Sequence, residues 1–199
     1  MKVLIACEFS GTVRDAFASK GWDAWSCDLL PTEKPGNHIV GDVLGVLDQG
    51  WDLMIAHPPC THTSSSGARW FKNKIKEQRE SLEFVRKLLN APIPHIALEN
   101  PIGVISSAIR KPDQIIQPWM FGHEATKTTC LWLKNLPHLV PTNIVGKGEK
   151  HTTKSGKVLP KWYNLPPSKD RWKIRSKTFD GIALAMADQY TNYFLKLYE

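Results

Sequence analysis

Short apolar runs alternate with amphipathic stretches along the chain up to residue 135. The apolar runs are typical of buried strands in a parallel sheet, and they predict five strands, at residues 2–7, 23–27, 38–40, 51–56 and 95–98. Apolar residues at helical spacing predict helices between them, over residues 13–20, 43–47, 69–90 and 102–109. This alternation of strand and helix predicts an α/β fold, with helices on both faces of a mostly parallel sheet.

The last part of the chain predicts a hairpin and a helix. Two apolar runs, at residues 115–123 and 128–133, flank a charged turn and predict an antiparallel hairpin at the edge of the sheet. Apolar residues then recur at helical spacing within 179–197: Ile182, Ala185, Met186, Tyr190 and Phe194. We therefore expect residues 1–199 to form a single domain, which a helix within 178–199 closes.

Charge changes this picture by suggesting a polyanionic partner. The chain has a net charge of +7 and a pI near 9.2, which favours nucleic acid, although an ordinary basic soluble protein has the same balance. Lys and Arg greatly outnumber acids between Lys147 and Lys177, and Trp162, Tyr163 and Trp172 lie among them. Cations interleaved with aromatic rings suit phosphate contact and base stacking. Residues 141–177 are thus predicted to be a nucleic-acid-recognition insert, with Lys161, Trp162, Arg171, Trp172 and Arg175 as its candidate contacts.

The apolar runs and the cysteines together predict the cellular compartment of the protein. No apolar run approaches the roughly 18 residues that a membrane-spanning helix needs, and the apolar start of the chain is too short for a signal peptide. The four cysteines are scattered singly, at Cys7, Cys27, Cys60 and Cys130. We expect a protein of the reducing cytoplasm without a membrane segment.

The clearest chemical signal is Pro58-Pro59-Cys60, just after the predicted fourth strand. The prolines end the strand and hold the chain extended, which places a thiol where open α/β sheets bind ligands. Cys60 is therefore a candidate nucleophile. Two other interpretations remain open: a small buried hydrophobic residue, or a metal ligand together with His57 and His62.

Polar residues also follow the other predicted strands. Phe9-Ser10-Gly11 forms a turn before the first helix, which Ser10 or Thr12 is expected to cap. Asp28 and Asp42 follow the second and third strands, and an acid at the tip of the second strand can accept hydrogen bonds from ribose hydroxyls, or simply form a turn. Glu99-Asn100 follows the fifth strand, on the same edge as Cys60 if the two strands are parallel.

The order Phe-Ser-Gly, Pro-Pro-Cys, Glu-Asn-Pro resembles the cytosine carbon-5 DNA methyltransferases, most closely the small forms of phage and prophage genomes. The resemblance implies a Rossmann-like methyltransferase fold, S-adenosylmethionine as cofactor, DNA as substrate, and the cytoplasm of the host cell if the chain is phage-encoded. It implies a nucleophilic role for Cys60 and binding of the target base by Glu99, with Asn100 holding the loop or the glutamate. The implied cofactor-binding residues are Phe9, Ser10, Gly11, Asp28, Asp42 and Pro58.

The implied chemistry explains why these residue types occur together. A thiolate that adds to carbon 6 of cytosine makes carbon 5 able to attack a methyl group, so the cysteine must have a lowered pKa or be deprotonated on demand. Glu99 would protonate or polarise ring nitrogen 3, for which we expect its pKa to be raised by partial burial. The cytosine must be single-stranded or flipped out of the duplex.

Several positions depart from the pattern of that family. Thr61 stands where the family has Gln, and Pro101 stands where it has Val. The Gln-x-Arg-x-Arg strand is missing, and Lys127 is the nearest basic residue, which makes it a further candidate contact to nucleic acid. Two alternatives therefore stay open: an amino-group methyltransferase acting on N4 of cytosine or N6 of adenine, and a catalytically degenerate nucleic-acid-binding protein. A free nucleotide is a further alternative substrate.

Overall fold

A seven-stranded mixed sheet forms the centre of the protein. The computed structural model describes residues 1–65, 73–164 and 166–198. The strands run in the order β3-β2-β1-β4-β5-β7-β6. In sequence they are β1 (Lys2–Ala6), β2 (Asp23–Asp28), β3 (His38–Val40), β4 (Leu53–Ala56), β5 (His95–Pro101), β6 (Gln114–Ile116) and β7 (Thr129–Lys134).

Strand direction divides the sheet into a parallel part and an antiparallel edge. The first five strands pair in parallel with their neighbours, whereas β7 runs antiparallel to both β5 and β6. The predicted fold class, a mostly parallel Rossmann-like α/β sheet with an antiparallel hairpin edge, is confirmed. Parallel pairing brings the carboxyl ends of β1, β4 and β5 to one edge, where open α/β sheets bind their ligands.

Alternating residues of the strands bury both faces of the sheet. Val3 and Ile5 of β1 pack with Phe17 and Phe194 on one face, while Leu4 belongs to the cluster on the opposite face. This follows from the period of two along a strand. Each such fully buried apolar side chain contributes about 1.5–3 kcal/mol to folding.

Five α-helices accompany the sheet in the described part of the chain. They are α1 (Thr12–Ala18), α2 (Ile75–Leu89), α3 (Ile105–Ala108), α4 (Arg171–Ser176) and α5 (Asp180–Leu197). Helices α1 and α5 contribute to the first core face, and Val85 and Leu88 of α2 contribute to the second. No helix among the described residues is long and apolar enough to pass through a membrane.

Three predicted elements differ from the observed ones. Helix α2 is described from Ile75 onward, and residues 69–72 of the predicted helix lie outside the described chain. Residues 43–47 form only a 3-10 helix, Val43–Gly45, whose first turn Asp42 caps. Strand β6 ends at Ile116 because Pro118, which lacks an N–H for the ladder, starts a 3-10 helix instead.

The predicted insert forms small elements of its own. Strands β8 (Lys150–Thr152) and β9 (Val158–Pro160) pair antiparallel in a separate two-stranded sheet. A 3-10 helix, Lys161–Asn164, and then α4 complete the segment. Helix α5, which closes the fold, begins at Asp180, shortly after α4 ends at Ser176.

Candidate active site

Cys60 and Glu99 lie at neighbouring strand ends. Strands β4 and β5 pair in parallel with Ala56 opposite Leu98, so the residues that follow both strands meet at one edge of the sheet. The backbone N–H of His57 donates to the carbonyl oxygen of Ala6 at 2.9 Å, which extends the β4 ladder by one residue. Pro58 is buried, and the chain then turns outward so that Cys60 is solvent-exposed.

Asn100 ties the two strand ends together. Its side chain, 1% exposed, donates from Nδ2 to the carbonyl oxygen of Pro58 at 2.8 Å. Its Oδ1 accepts a hydrogen bond from the hydroxyl of Thr63 at 3.1 Å. Asn100 therefore holds the loop that carries Cys60 in place, as the sequence suggested.

The loop after Cys60 packs against the protein in its described part. The hydroxyl-rich sequence of residues 61–68 is typical of a surface loop, yet Thr63 and Ser64 are buried. The N–H of Val104 donates to the carbonyl oxygen of Thr63 at 2.8 Å. A Cβ on Gly103 would lie 1.9 Å from that same oxygen, so only glycine permits the two loops to approach this closely. Residues 66–68 of the expected loop lie outside the described chain.

Glu99 is surrounded by groups that favour its ionised form. Burial raises the pKa of Glu99, but a hydrogen bond from His57, the charge of Lys127 and a hydrogen bond from Thr129 outweigh it, so the pKa lies below its usual range. The two side chains meet with His57 Nδ1 3.4 Å from Glu99 Oε2. The expectation of a raised pKa for Glu99 is therefore wrong, because burial acts here together with a histidine and a nearby cation.

The surroundings of the Cys60 thiol, unlike those of Glu99, disfavour its ionised form. Desolvation by the surrounding protein and the charge of Glu99 raise its pKa above the usual value. Lys127, a backbone hydrogen bond at Cys60 and Arg175 act in the other direction without reversing the shift. Of the two routes to a thiolate considered from sequence, this balance favours deprotonation on demand over a lowered pKa.

The Phe9-Ser10-Gly11 turn is built around a carboxylate that sequence reasoning missed. Glu8 accepts hydrogen bonds from the N–H groups of Val13 at 2.7 Å and Arg14 at 3.2 Å, and from the Ser10 hydroxyl at 3.0 Å. Ser10 Oγ in turn accepts from the N–H of Thr12 at 3.3 Å. The N-terminus of α1 is thus capped chiefly by Glu8, with Ser10 contributing as expected and Thr12 lying inside the helix.

Asp28 ends β2, which lies beside β1, and Asp42 follows β3, which lies on the other side of β2. Asp28 accepts a hydrogen bond from the N–H of Leu30 at 2.9 Å, and Asp42 accepts one from Leu44 at 3.0 Å. Burial and then the charges of these two acids raise the pKa of Cys7 at the end of β1. The structure therefore gathers Phe9, Ser10, Gly11, Asp28 and Asp42 around one strand end, although both acids also stabilise turns.

Helix α4 lies against the Phe9 turn. The rings of Phe9 and Trp172 are 5.8 Å apart, and an ion pair joins Lys177 to Glu33. A cleft of only about 50 Å³ remains between residues 7–10, His57 and residues 176–178. Small-molecule sites commonly measure about 300–1,000 Å³, so this cleft is smaller than a typical small-molecule site.

The candidate nucleic-acid contacts fall into two groups. Lys127 lies over the Trp162 ring at 5.6 Å and donates to the carbonyl oxygen of Arg175 at 3.0 Å, and the charges of Lys127 and Arg175 act on Cys60. Lys161 instead forms an exposed ion pair with Glu149. Arg171, whose Nε is buried without a partner among the described residues, and the half-exposed Trp172 belong to α4.

His57 is a second residue whose contact in the site was not predicted from the sequence. It was considered only as a metal ligand with Cys60 and His62, whereas its observed partner is Glu99. Within residues 1–65, 73–164 and 166–198, no three His, Cys, Asp or Glu side chains are grouped to hold a metal ion. The available signal was its position between a strand end and two prolines, which fixes the residue at the ligand-binding edge.

Comparisons with known proteins add distant structural similarity to solved structures. No protein-family model matches the chain, and no curated protein does. One similar solved structure is that of a prophage-encoded E. coli protein proposed to be a DNA modification methyltransferase, at 14% identity and a TM-score of 0.46. The alignment covers 74% of this chain and 53% of that chain, so the chain spans about half of that protein's length. The fold assignment rests on the strand order and directions described above.

Proposed function

We propose that the protein is a DNA cytosine-5 methyltransferase that uses S-adenosylmethionine and a covalent adduct between Cys60 and cytosine. The observation that carries the proposal is the convergence of an exposed thiol, a buried carboxylate and Lys127 at the adjoining ends of β4 and β5. Carbon-5 methylation needs a nucleophile for carbon 6 of the base and a group that neutralises the charge developing on ring nitrogen 3. Cys60 is suited to be this nucleophile, and Glu99 is suited to be the group that acts on ring nitrogen 3.

Cys60 performs the covalent step. Its S–H bond breaks, the proton leaves to water at this exposed site, and a bond forms between sulfur and carbon 6 of the cytosine. Lys127 and Arg175 stabilise the thiolate, because both lower the pKa of Cys60. The addition makes carbon 5 nucleophilic. After methylation at carbon 5, water removes the proton there and the carbon–sulfur bond breaks, which regenerates the cysteine.

The strand ends beside β1 suit a nucleoside cofactor. Asp28 at the tip of β2 offers a carboxylate to vicinal hydroxyls, Asp42 offers a second one after β3, and Phe9 offers a ring edge beside them. His57 presents a buried ring nitrogen, Nε2, that has no partner among the described residues. Phe9, Ser10, Gly11, Asp28, Asp42 and Pro58 would hold S-adenosylmethionine, which when bound supplies the methyl group.

Trapping with 5-fluorocytosine tests the proposal. Fluorine at carbon 5 does not leave as a proton does, so a carbon-5 enzyme stalls as an adduct with the oligonucleotide. We expect a cofactor-dependent adduct with single-stranded or mismatched DNA, visible as a mass shift of the intact protein. The adduct should be lost in Cys60→Ser and kept in a Cys130→Ser control, since Cys130 is buried in β7.

The alternatives give different outcomes in the same experiment. Methyl transfer to ordinary DNA without any adduct would identify an amino-group methyltransferase. Binding of DNA without binding of S-adenosylmethionine, measured by calorimetry, would identify a degenerate binding protein. The narrow cleft closed by residues 176–178 is the observation that favours this second candidate. An adduct with 5-fluorodeoxycytidine monophosphate but none with DNA would point to a nucleotide substrate.

A further inference from the structure

His57 lies between the two halves of the proposed site. Strand β4 is flanked by β1 and β5, and His57 follows β4 directly. Its ring faces Glu99 through Nδ1 at 3.4 Å, and it also lines the small cleft beside residues 7–10. The backbone hydrogen bond to Ala6 fixes the residue, and its side chain is 9% exposed.

The second ring nitrogen of His57, Nε2, is buried and finds no hydrogen-bond partner among the described residues. Buried polar atoms are normally satisfied, and His57 lines the small cleft beside residues 7–10. Nε2 is therefore available to a group that enters this cleft.

The charge state of Glu99 leaves the proposed reaction short of a proton. Ring nitrogen 3 of cytosine must gain a proton or a strong donor as the thiolate adds, whereas the surroundings of Glu99 keep it a carboxylate. Imidazole is the side chain suited to exchanging a proton near neutral pH. His57 is in contact with Glu99 and can hold that proton.

We propose that His57 is the positioning residue of Glu99 and the source of the proton that Glu99 passes to ring nitrogen 3. The inference rests on the proposed function. As the bond between Cys60 sulfur and carbon 6 forms, the N–H bond at Nδ1 of a doubly protonated His57 ring breaks and its proton moves to Glu99. The Glu99 proton moves to nitrogen 3, so the pair ends as neutral imidazole and carboxylate. When the thiol leaves, nitrogen 3 returns the proton along the same route.

Other titratable and charged groups face this pair and belong in the interpretation of any pH profile. They come from the turn after β1, from the Cys60 loop, from the segment before β7 and from the segment around α4. These groups are Cys7, Glu8, Cys60, Lys127, Arg175 and Lys177.

The first test is spectroscopic and needs no substrate. Nitrogen-15 NMR of histidine-labelled protein, with the His57 signal assigned by its loss in His57→Asn, reports whether one or both ring nitrogens carry a proton. Donation from Nδ1 to Glu99 requires the doubly protonated ring, and we expect Glu99→Gln to reduce the fraction of this form at pH 7. A His57 ring that carries a single proton throughout the pH range of adduct formation would overturn the proposal.

The second test separates proton supply from positioning. The His57→Asn variant keeps an N–H donor near Glu99 but cannot release a proton. We expect roughly 100-fold slower adduct formation with 5-fluorocytosine DNA at pH 7, measured at saturating S-adenosylmethionine. The wild-type rate should fall at high pH, and this falling limb should be missing in His57→Asn. The exposed His138, changed to Asn, is the matched control and should behave as wild type.

The outcomes distinguish the two proposals. If the wild-type protein forms no adduct, the proposed function fails and this inference falls with it. If the wild type forms the adduct and His57→Asn keeps both its rate and its pH profile, the function stands and the role of His57 is refuted. If His57→Asn does not fold, His57→Gln and the NMR measurement on wild-type protein still decide the question.

Discussion

At the scale of single residues, Cys60 combines exposure with a raised pKa. The thiolate is the reactive form, so its fraction grows about tenfold per pH unit below the pKa. We expect alkylation of Cys60 by iodoacetamide to accelerate steadily as the pH rises through 7 to 9, because the pKa is raised and not lowered. Mass spectrometry can follow this site selectively, since Cys27 and Cys130 are buried.

Lys127 should account for part of that reactivity. Its positive charge lowers the pKa of Cys60, so Lys127→Gln should raise the pKa and slow alkylation at pH 8 by about 2–5-fold, as expected for one partly screened charge. Lys154→Gln, which removes an exposed lysine of the insert, is the control and should leave the rate unchanged. Equal rates in wild type and Lys127→Gln would show that Lys127 does not act on the thiol.

Asn100 is a single residue on which the site geometry depends. Asn100→Ala leaves the carbonyl oxygen of Pro58 and the hydroxyl of Thr63 without their partner. A buried polar group that loses its partner costs about 1–3 kcal/mol, and we expect a loss in that range in the free energy of unfolding measured with urea. Asn90→Ala, which removes an exposed hydrogen bond at the end of α2, should cost less than about 0.5 kcal/mol. Comparable losses in the two variants would contradict the bridging role of Asn100.

At the scale of elements, the loops after β4 and β5 act as one unit. Gly103 allows them to touch, and Gly103→Ala would drive a methyl group into the carbonyl oxygen of Thr63. We expect a destabilisation of about 1–3 kcal/mol and faster proteolysis of the Cys60 loop. Gly45→Ala adds the same methyl group where nothing lies within 4 Å, so it should be neutral. Unchanged stability in Gly103→Ala would show that the two loops separate at little cost.

Elements with strong local patterns could be predicted from sequence. The runs at Lys2–Ala6 and Leu53–Ala56 are largely apolar, and both strands are found within two residues of their predicted ends. Strand β6, by contrast, ends at Ile116 although the predicted strand continued to residue 123. Local period alone does not say where tertiary packing ends an element, and Pro118 stopped the strand although the apolar run continued.

The candidate site, like the fold, could be predicted from the sequence only in part. Sequence order placed Cys60, Glu99 and Asn100 at one sheet edge, because parallel strands share that edge. The pKa direction of Glu99 could not be obtained from sequence, since it depends on His57 and Lys127, which are 42 and 28 residues away along the chain. The capping role of Glu8 was hidden for the same reason: the carboxylate reaches across a left-handed Gly11 turn that only the fold defines.

At the scale of the whole molecule, positive charge is concentrated near the site. The net charge is +7, and the basic segment from Lys147 to Lys177 carries Arg175 to the neighbourhood of Cys60. A protein that neutralises phosphates releases counterions, so its affinity for DNA falls with salt, with a slope of about 0.9 per phosphate contact on duplex and about 0.7 on single strands. We expect salt-dependent binding of single-stranded DNA of mixed sequence.

The hairpin of β8 and β9 provides a test of whether the whole basic segment meets DNA. Changing Lys154 and Lys157 together to Gln should reduce the salt slope by about 1–2, because two phosphate contacts are lost. The Cys60 alkylation rate should stay the same. The matched control changes Lys20 and Lys196 to Gln: it removes the same charge from α5 and from the turn after α1, where Lys20 pairs with Asp188. If both double variants lower the slope equally, net charge and not the insert attracts the DNA; if only the hairpin variant does, the insert is the nucleic-acid-binding surface of this protein.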